Sequence, residues 1–223
     1  MFYFYRFFSY NRCKVNNSDH KIIVIGRQYG GSGRKTGRAL AELLGIPYYD
    51  KEIINKVAAS YGFDPDILHR ADEKKPSPFR SMLLGKYGVM DMYATSPLSR
   101  ESLYEAQTNV IRQICQEGRC VIVGRTADYI MRDHPGLVSI FIHAPREWRA
   151  RNLIDRGEAS SMQEALVKMR KADSDREGYY NYFSGRNWGV ADNYHLTIDA
   201  SLLETDEMVD LIASYIGKHK KKH

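Results

Sequence analysis

At 223 residues the chain is long enough for one domain of ordinary size, or one domain with an inserted lobe, and too short for two full catalytic domains. Hydrophobic residues at 43% and charged residues at 27% exclude wholesale disorder, a collagen-like repeat and a coiled coil, and no run approaches the roughly 20 apolar residues that cross a bilayer. The formal charge of +6 invites a nucleic-acid reading, but Lys218, Lys220, Lys221 and Lys222 supply four of those charges, so the body is nearly neutral and neither a nucleic-acid nor a membrane partner is expected.

The segment 1–20 opens on a cluster of aromatics (Phe2, Tyr3, Phe4, Tyr5, Phe7, Phe8, Tyr10) interrupted by Arg6, and carries no small-residue cleavage site. It reads as a disordered extension and fits a signal peptide poorly. From Lys21 the pattern changes: Ile22 to Ile25 form a short apolar run ending in glycines, as in a buried parallel strand. A helix is expected from Arg34 with Leu40, Leu43 and Leu44 on one face and Gly45 as its stop. A second is expected over 51–61, with Ile53, Ile54, Val57 and Ala58 inward and Gly62 closing it. Residues 64–99 hold Pro65, Pro76, Pro78, Gly85, Gly88 and Pro97, and read as an inserted small helical lobe. A long helix over 101–117 buries Leu103, Val110, Ile111 and Ile114 and ends at Gly118.

Strands are then expected at 120–123 and 137–142, with Pro145 opening a helix that reaches Arg156. Ser161 and Glu164 form a capping box at the start of the next helix. His195 to Ile198 give a last strand, 205–216 a closing amphipathic helix, and 218–223 a basic tail. Strands alternating with helices imply an α/β fold whose parallel sheet is covered on both faces. Cys13, Cys115 and Cys120, odd in number, fit neither a disulfide framework nor paired metal-ligand spacing, and point to reduced thiols in a cytoplasmic protein.

The chemistry concentrates at Gly30-Gly31-Ser32-Gly33, between the first strand and the first helix. Backbone N–H groups there have no internal partner and face the positive end of the helix dipole, an arrangement that binds phosphate. A plain tight turn is the alternative. Arg34, Lys35 and Thr36 favour the anion, because two cations and a hydroxyl in one helical turn repel unless a negative group sits among them.

The run Ile25-Gly26-Arg27-Gln28-Tyr29-Gly30-Gly31-Ser32-Gly33-Arg34-Lys35-Thr36-Gly37, followed by Leu43 to Ile54, resembles the cytidylate kinase-like family of P-loop nucleoside monophosphate kinases. The similarity continues through Gly124-Arg125, Ile140 to Pro145, Lys171 to Gly185 and Tyr194 to Ile212. The resemblance implies a P-loop three-layer fold over 21–217, with a helical nucleotide-binding insertion at 64–99 and a lid over 156–190. It also implies ATP with Mg²⁺ as phosphoryl donor and a nucleoside monophosphate, CMP or dCMP first, as acceptor. A kinase of another small acceptor and a non-catalytic nucleotide binder are the alternatives.

Residue by residue, the resemblance assigns the donor phosphates to Gly30, Gly31, Ser32, Gly33, Arg34, Lys35 and Thr36, with Thr36 also on Mg²⁺, and the adenine to Arg149. The acceptor would meet Asp50, Lys56, Arg125 and Asp175. Arg156, Arg170, Lys171 and Arg176 would bring cations across the lid, and Arg34, Arg125 and Arg176 would act on the transferring group. Several of these have plain readings too: Asp50 as the N-cap of the helix after it, Lys56 as a solvated helix lysine, Arg125 as half of a surface ion pair, and the lid charges as a wet helix face. Gly33 is expected to leave room for phosphate. Trp148 reads as core, and Tyr179, Tyr180, Tyr182 and Phe183 as packing between lid and body.

The sequence departs from the family in two places. The residue after the last loop glycine is Arg34, with Lys35-Thr36 one place later than the usual Lys-Ser/Thr pair. Val123 and Thr126 stand on either side of Gly124-Arg125 where cytidylate kinases carry aspartates, the first of them beside the magnesium ion.

Overall fold

The computed structural model describes residues 21–62 and 100–218. The extension expected at 1–20, the lobe expected at 64–99 and all of the basic tail beyond Lys218 lie outside the described residues. The elements run β1 (Ile22–Arg27), α1 (Gly33–Leu44), β2 (Tyr48–Tyr49), α2 (Glu52–Tyr61), α3 (Arg100–Glu117), β3 (Cys120–Val123), α4 (Ala127–Ile130), β4 (Leu137–His143), α5 (Arg146–Asp155), α6 (Met162–Ser184), a 3₁₀ turn (Ala191–Asn193), β5 (Leu196–Asp199) and α7 (Thr205–Lys218).

The sheet has the order β2-β3-β1-β4-β5 and every pairing is parallel. β1 sits at its centre, Ile22 to Ile25 opposite both Cys120 to Val123 and Leu137 to Ile140. A central parallel strand is covered on both faces, which is why its sequence is an unbroken apolar run. Alternate side chains serve different layers. Ile22 and Val24 pack with Ile53, Ile54, Val57, Val110, Ile111 and Ile114 from α2 and α3, whereas Ile23 and Ile25 pack with Leu40, Ala41, Val209 and Ile212 from α1 and α7. A third cluster, Ala150, Leu153, Ala165 and Met169, joins α5 to α6.

The glycine stops at Gly45, Gly62 and Gly185 are left-handed C-caps with φ 62, 68 and 67. On α1 the buried stripe is Gly33, Thr36, Gly37, Leu40 and Ala41, spaced as one helical face, and Leu43 is half exposed. The expectation that Leu43 packs inward is thereby corrected: two small residues let the helix lie close to the sheet, and the close face excludes Leu43. Ser161 caps α6 by accepting from the Glu164 amide, but the Glu164 carboxylate reaches back to Ser160 N (2.8 Å) and Oγ (2.6 Å), one residue short of the reciprocal box. Because all strands are parallel, their carboxyl ends share one edge, where the glycine loop, Asp50, Gly124-Arg125 and Ala144 converge. No helix among the described residues is long and apolar enough to cross a membrane.

Candidate active site

After β1 the chain turns over this edge into α1. Gly30 has φ 81, and a Cβ there would stand 2.8 Å from the Arg149 carbonyl oxygen, so the position requires glycine. Ser32 is the N-cap with φ 63. The Thr36 amide, donating to Ser32 O at 3.0 Å, makes the first intrahelical bond; the amides at residues 32–35 precede it and have no helical carbonyl to reach. The loop is pinned from behind. Asn152 Nδ2 donates to Gly30 O (2.7 Å) and Ser32 Oγ (3.0 Å), Arg149 Nη1 donates to Tyr29 O (2.9 Å), and Tyr29 N donates to Asp173 Oδ1 (2.7 Å).

In front of the loop lies a cavity of about 250 Å³ lined by Arg27, Tyr29, Arg34, Lys51, Arg125, Ala172, Asp175, Arg176 and Tyr179. Five cations thus face one carboxylate. Ala172, Asp175, Arg176 and Tyr179 come from one face of α6, at spacings of three, four and seven residues. Asp50, just outside, binds Arg34 Nε at 2.7 Å and Arg27 Nη2 at 3.4 Å. Arg125 is aimed from a run of left-handed residues, Gly124, Arg125 and Thr126, with φ 77, 64 and 50. For the two that are not glycine this costs roughly 1–3 kcal/mol each, a strain characteristic of functional sites. Thr126 Oγ1 (2.6 Å) and Gln107 Nε2 (3.4 Å) donate to the Arg125 carbonyl and hold the turn.

A second cavity, about 270 Å³, lies on the other side of the loop between Ser32, Lys35, Trp148, Asn152 and the chain from Ala200 to Thr205. It presents an indole, Leu202, Leu203 and Met208 alongside Lys35 and Glu207. One loop therefore separates a strongly cationic space from one that carries a single cation, Lys35, and two carboxylates, Glu204 and Glu207, among mostly polar lining atoms.

The family model of the cytidylate kinase-like family matches residues 22–202. The chain belongs to the cytidylate kinase-like family. An uncharacterized protein from Eubacterium ventriosum ATCC 27560 shares 25% identity over 89% of this chain and 99% of its own, with a TM-score of 0.67. A gluconokinase from Sinorhizobium meliloti 1021, 14% identical over 89% of this chain and 93% of its own at a TM-score of 0.50, shows the same fold. No curated protein matches the chain. The α/β P-loop kinase architecture follows from the all-parallel sheet and the family.

Within this cytidylate kinase-like frame the expected residues separate into three groups. Arg34, Arg125, Asp175 and Arg176 meet at the cationic cavity, and Ser32 and Lys35 at the second one. Lys56 is exposed on α2 with its Nζ 5.7 Å from the centre of the Tyr49 ring; Lys51, a turn earlier, lines the cavity in its place. Arg156 pairs with Glu158 (2.8 Å), and Arg170 and Lys171 are exposed outside the cavity lining.

Two roles are corrected. Asp50 does not cap α2, whose N-cap is Lys51; its carboxylate is drawn to Arg27 and Arg34. Arg149 is buried, with Nε on Ala144 O (3.1 Å) and Nη1 on Tyr29 O and Asp173 Oδ2 (2.6 Å), so its guanidinium ties loop to lid helix and is not open to stack on adenine.

The sequence reading passed over three residues. Arg27 was given no role of its own. Trp148 lines the second cavity, and Tyr179 lines the first while its Oη accepts from Gln107 Nε2 at 3.2 Å. The rest of the aromatic cluster packs as expected, with Phe183 stacked on Tyr104 at 4.0 Å and Tyr180 Oη donating to the buried Asp128 at 2.8 Å.

P-loop kinases as a class use ATP with Mg²⁺, which the protein side usually anchors through carboxylates or a loop hydroxyl. Thr36 Oγ1 is fully buried and donates to Ser32 O at 3.2 Å. Asp50 is held by two arginines, and among the described residues no three acidic, histidine or cysteine side chains gather as ligands. The described residues do not gather carboxylates for a protein-anchored magnesium ion, and the Thr36 hydroxyl expected to hold one is buried against Ser32 O.

Proposed function

We propose that the protein transfers the γ-phosphoryl group of ATP to a nucleoside monophosphate, CMP or dCMP first. The observation that carries this reading is the cavity of five cations and one carboxylate beside the phosphate loop. A neutral or singly charged acceptor would leave those charges uncompensated, whereas a transferring phosphoryl group and an acceptor phosphate together supply the negative charge they call for. The amides of the loop hold the donor's β-phosphate. Arg34 and Arg176, on opposite sides of the cavity, bind the migrating group, and Arg125 and Lys51 bind the acceptor phosphate. The donor base occupies the second cavity against Trp148. Asp175 is the acceptor-side carboxylate suited to an exocyclic amino group, which favours cytosine over uracil.

Phosphoryl transfer asks for in-line placement, charge neutralisation and exclusion of water more than for covalent chemistry. Helix α6 forms one wall of the cavity, and Asp173 fastens it to the loop. The test is ADP release from ATP with CMP, dCMP, UMP, AMP, gluconate and shikimate offered separately. Turnover with CMP or dCMP well above the rest supports the reading; turnover only with the non-phosphorylated acids overturns it, and ATP binding without turnover makes the chain a nucleotide-binding protein.

A further inference from the structure

Arg27 is the cation that phosphoryl transfer as drawn above leaves without a task. It ends β1, where pairing with Ile142 of β4 fixes its backbone. Two glycines clear the path of its side chain. A Cβ at Gly33 would stand 2.6 Å from Arg27 Cβ, and one at Gly124 would collide with the guanidinium itself. Chain path and end point are therefore both built in. The head group so placed is poorly compensated. Its Nε is buried without a hydrogen-bond partner. Its ion pair with Asp50 is long at 3.4 Å, while the other oxygen of that carboxylate is bound at 2.7 Å by Arg34. Burial first, then the charge of Arg176, holds the Arg27 pKa down to about 9, against the opposing pull of Asp50. At neutral pH the group is still a cation, kept at a cost that a bound anion relieves.

We propose that Arg27 is a phosphate-binding residue whose missing counter-charge is supplied by the ligand, so that the cleft grips polyphosphate through guanidinium groups without a divalent ion anchored on the protein. The inference rests on the kinase reading and deepens it at the same site. A divalent cation placed among Arg27, Arg34, Lys51, Arg125 and Arg176 is repelled by each of them, whereas planar guanidinium forks match phosphate oxygens two at a time. Among the described residues the one carboxylate that lines this cavity, Asp175, is outnumbered by five cations, and the buried arginine performs the neutralisation instead.

Calorimetric titration of the full chain with ATP and with inorganic tripolyphosphate, each in EDTA and in magnesium, tests this on wild type, Arg27→Met and Arg27→Lys. Wild type is expected to bind tripolyphosphate in EDTA at least as tightly as in magnesium. Arg27→Met should weaken that EDTA binding by about tenfold or more, the scale of one charged hydrogen bond, with Arg27→Lys between the two because it keeps the charge and loses the fork. Unliganded Arg27→Met should melt no lower than wild type, since Asp50 retains Arg34. A purely structural arginine would lower the melting temperature and leave the metal dependence of binding untouched. If wild type binds ATP but only with magnesium, or if Arg27→Met binds both ligands in EDTA as wild type does, the inference is overturned and the kinase reading stands. Should Arg27→Met fail to fold, unchanged EDTA affinity in Arg27→Lys overturns it equally. Wild type that binds neither ligand under either condition removes the kinase reading and the inference together.

Discussion

The two cavities flanking the glycine loop have nearly the same volume and different charge. The one under α6 is walled by Arg27, Arg34, Lys51, Arg125 and Arg176; the one beside α5 has a single cation, Lys35, against Glu204 and Glu207, with Trp148 and Met208 among its mostly polar lining. The separation arises within one helical turn, because consecutive residues of a helix point about 100° apart, so Arg34 and Lys35 leave the loop in different directions. On the proposed function, the side chain that touches transferring charge is thus Arg34, and the lysine that a motif search would choose stands on the donor side. Replacing Arg34 or Arg176 by alanine should lower kcat by roughly a hundredfold or more, the scale of one preorganised charge in a water-poor site, whereas Lys35→Ala should act mainly on KM for ATP. Steady-state assays of the three variants check this. If Lys35→Ala carries the large kcat loss and Arg34→Ala is mild, the cavities have been assigned the wrong way round.

The glycines sharpen the comparison from the side of stability. Gly33 was expected to leave room for phosphate, but the space its Cβ would fill belongs to the Arg27 side chain. Gly33→Ala should therefore destabilise the fold by about 1–3 kcal/mol, as over-packing does. Combined with Arg27→Gly, most of that loss should be recovered, since the contacts are with Arg27 Cβ (2.6 Å) and Cγ (3.0 Å) and glycine removes both. Denaturant melts of the four members of the cycle measure the coupling. Additive losses would mean that Gly33 is needed for something other than Arg27.

On the other side of the loop, Trp148→Ala should raise KM for ATP roughly tenfold while leaving kcat and the acceptor's KM nearly unchanged, the pattern of lost uniform binding. A change confined to the acceptor's KM would place the base of the acceptor, and not of the donor, against the indole.

These assignments mark where the sequence is readable. The central strand, the loop and the glycine stops follow from local pattern, because an apolar run of four and a left-handed cap are properties of a few consecutive residues. β2 is not readable, since Tyr48 and Tyr49 become a strand only by pairing with Val121 and Ile122. Within the site, Arg34, Arg125 and Arg176 were found through the family resemblance, but the direction of a side chain depends on contacts distant in sequence. Arg149 turns inward because Asp173, on another helix, draws it there, and Asp50 is taken from capping by two arginines 23 and 16 residues away. Arg27 lay inside the run that carries the resemblance but was assigned no role by it. Its significance is the burial of a guanidinium, which depends on two glycines far apart in the chain and is invisible to periodicity.

Behind the cationic cavity, Asp128 is the smallest test of how α6 is held over it. The carboxyl is buried, and burial raises its pKa above the ordinary aspartate range even though Tyr180 Oη, 2.8 Å away on α6, and nearby amides favour the charged form. The native protein therefore keeps this proton to higher pH than the unfolded chain does. Where the native state binds more protons, stability falls as pH rises, so Asp128 contributes a loss that begins near pH 4, the ordinary aspartate value, and is complete once pH exceeds its raised one. Asp128→Asn cannot ionise, and its amide oxygen still accepts from Tyr180. Melting temperatures of wild type and Asp128→Asn should converge in acid and separate as pH climbs through that window, with the variant the more stable at neutral pH. If the gap instead opens as pH falls, the carboxylate is the form that holds α6, and Tyr180 outweighs burial.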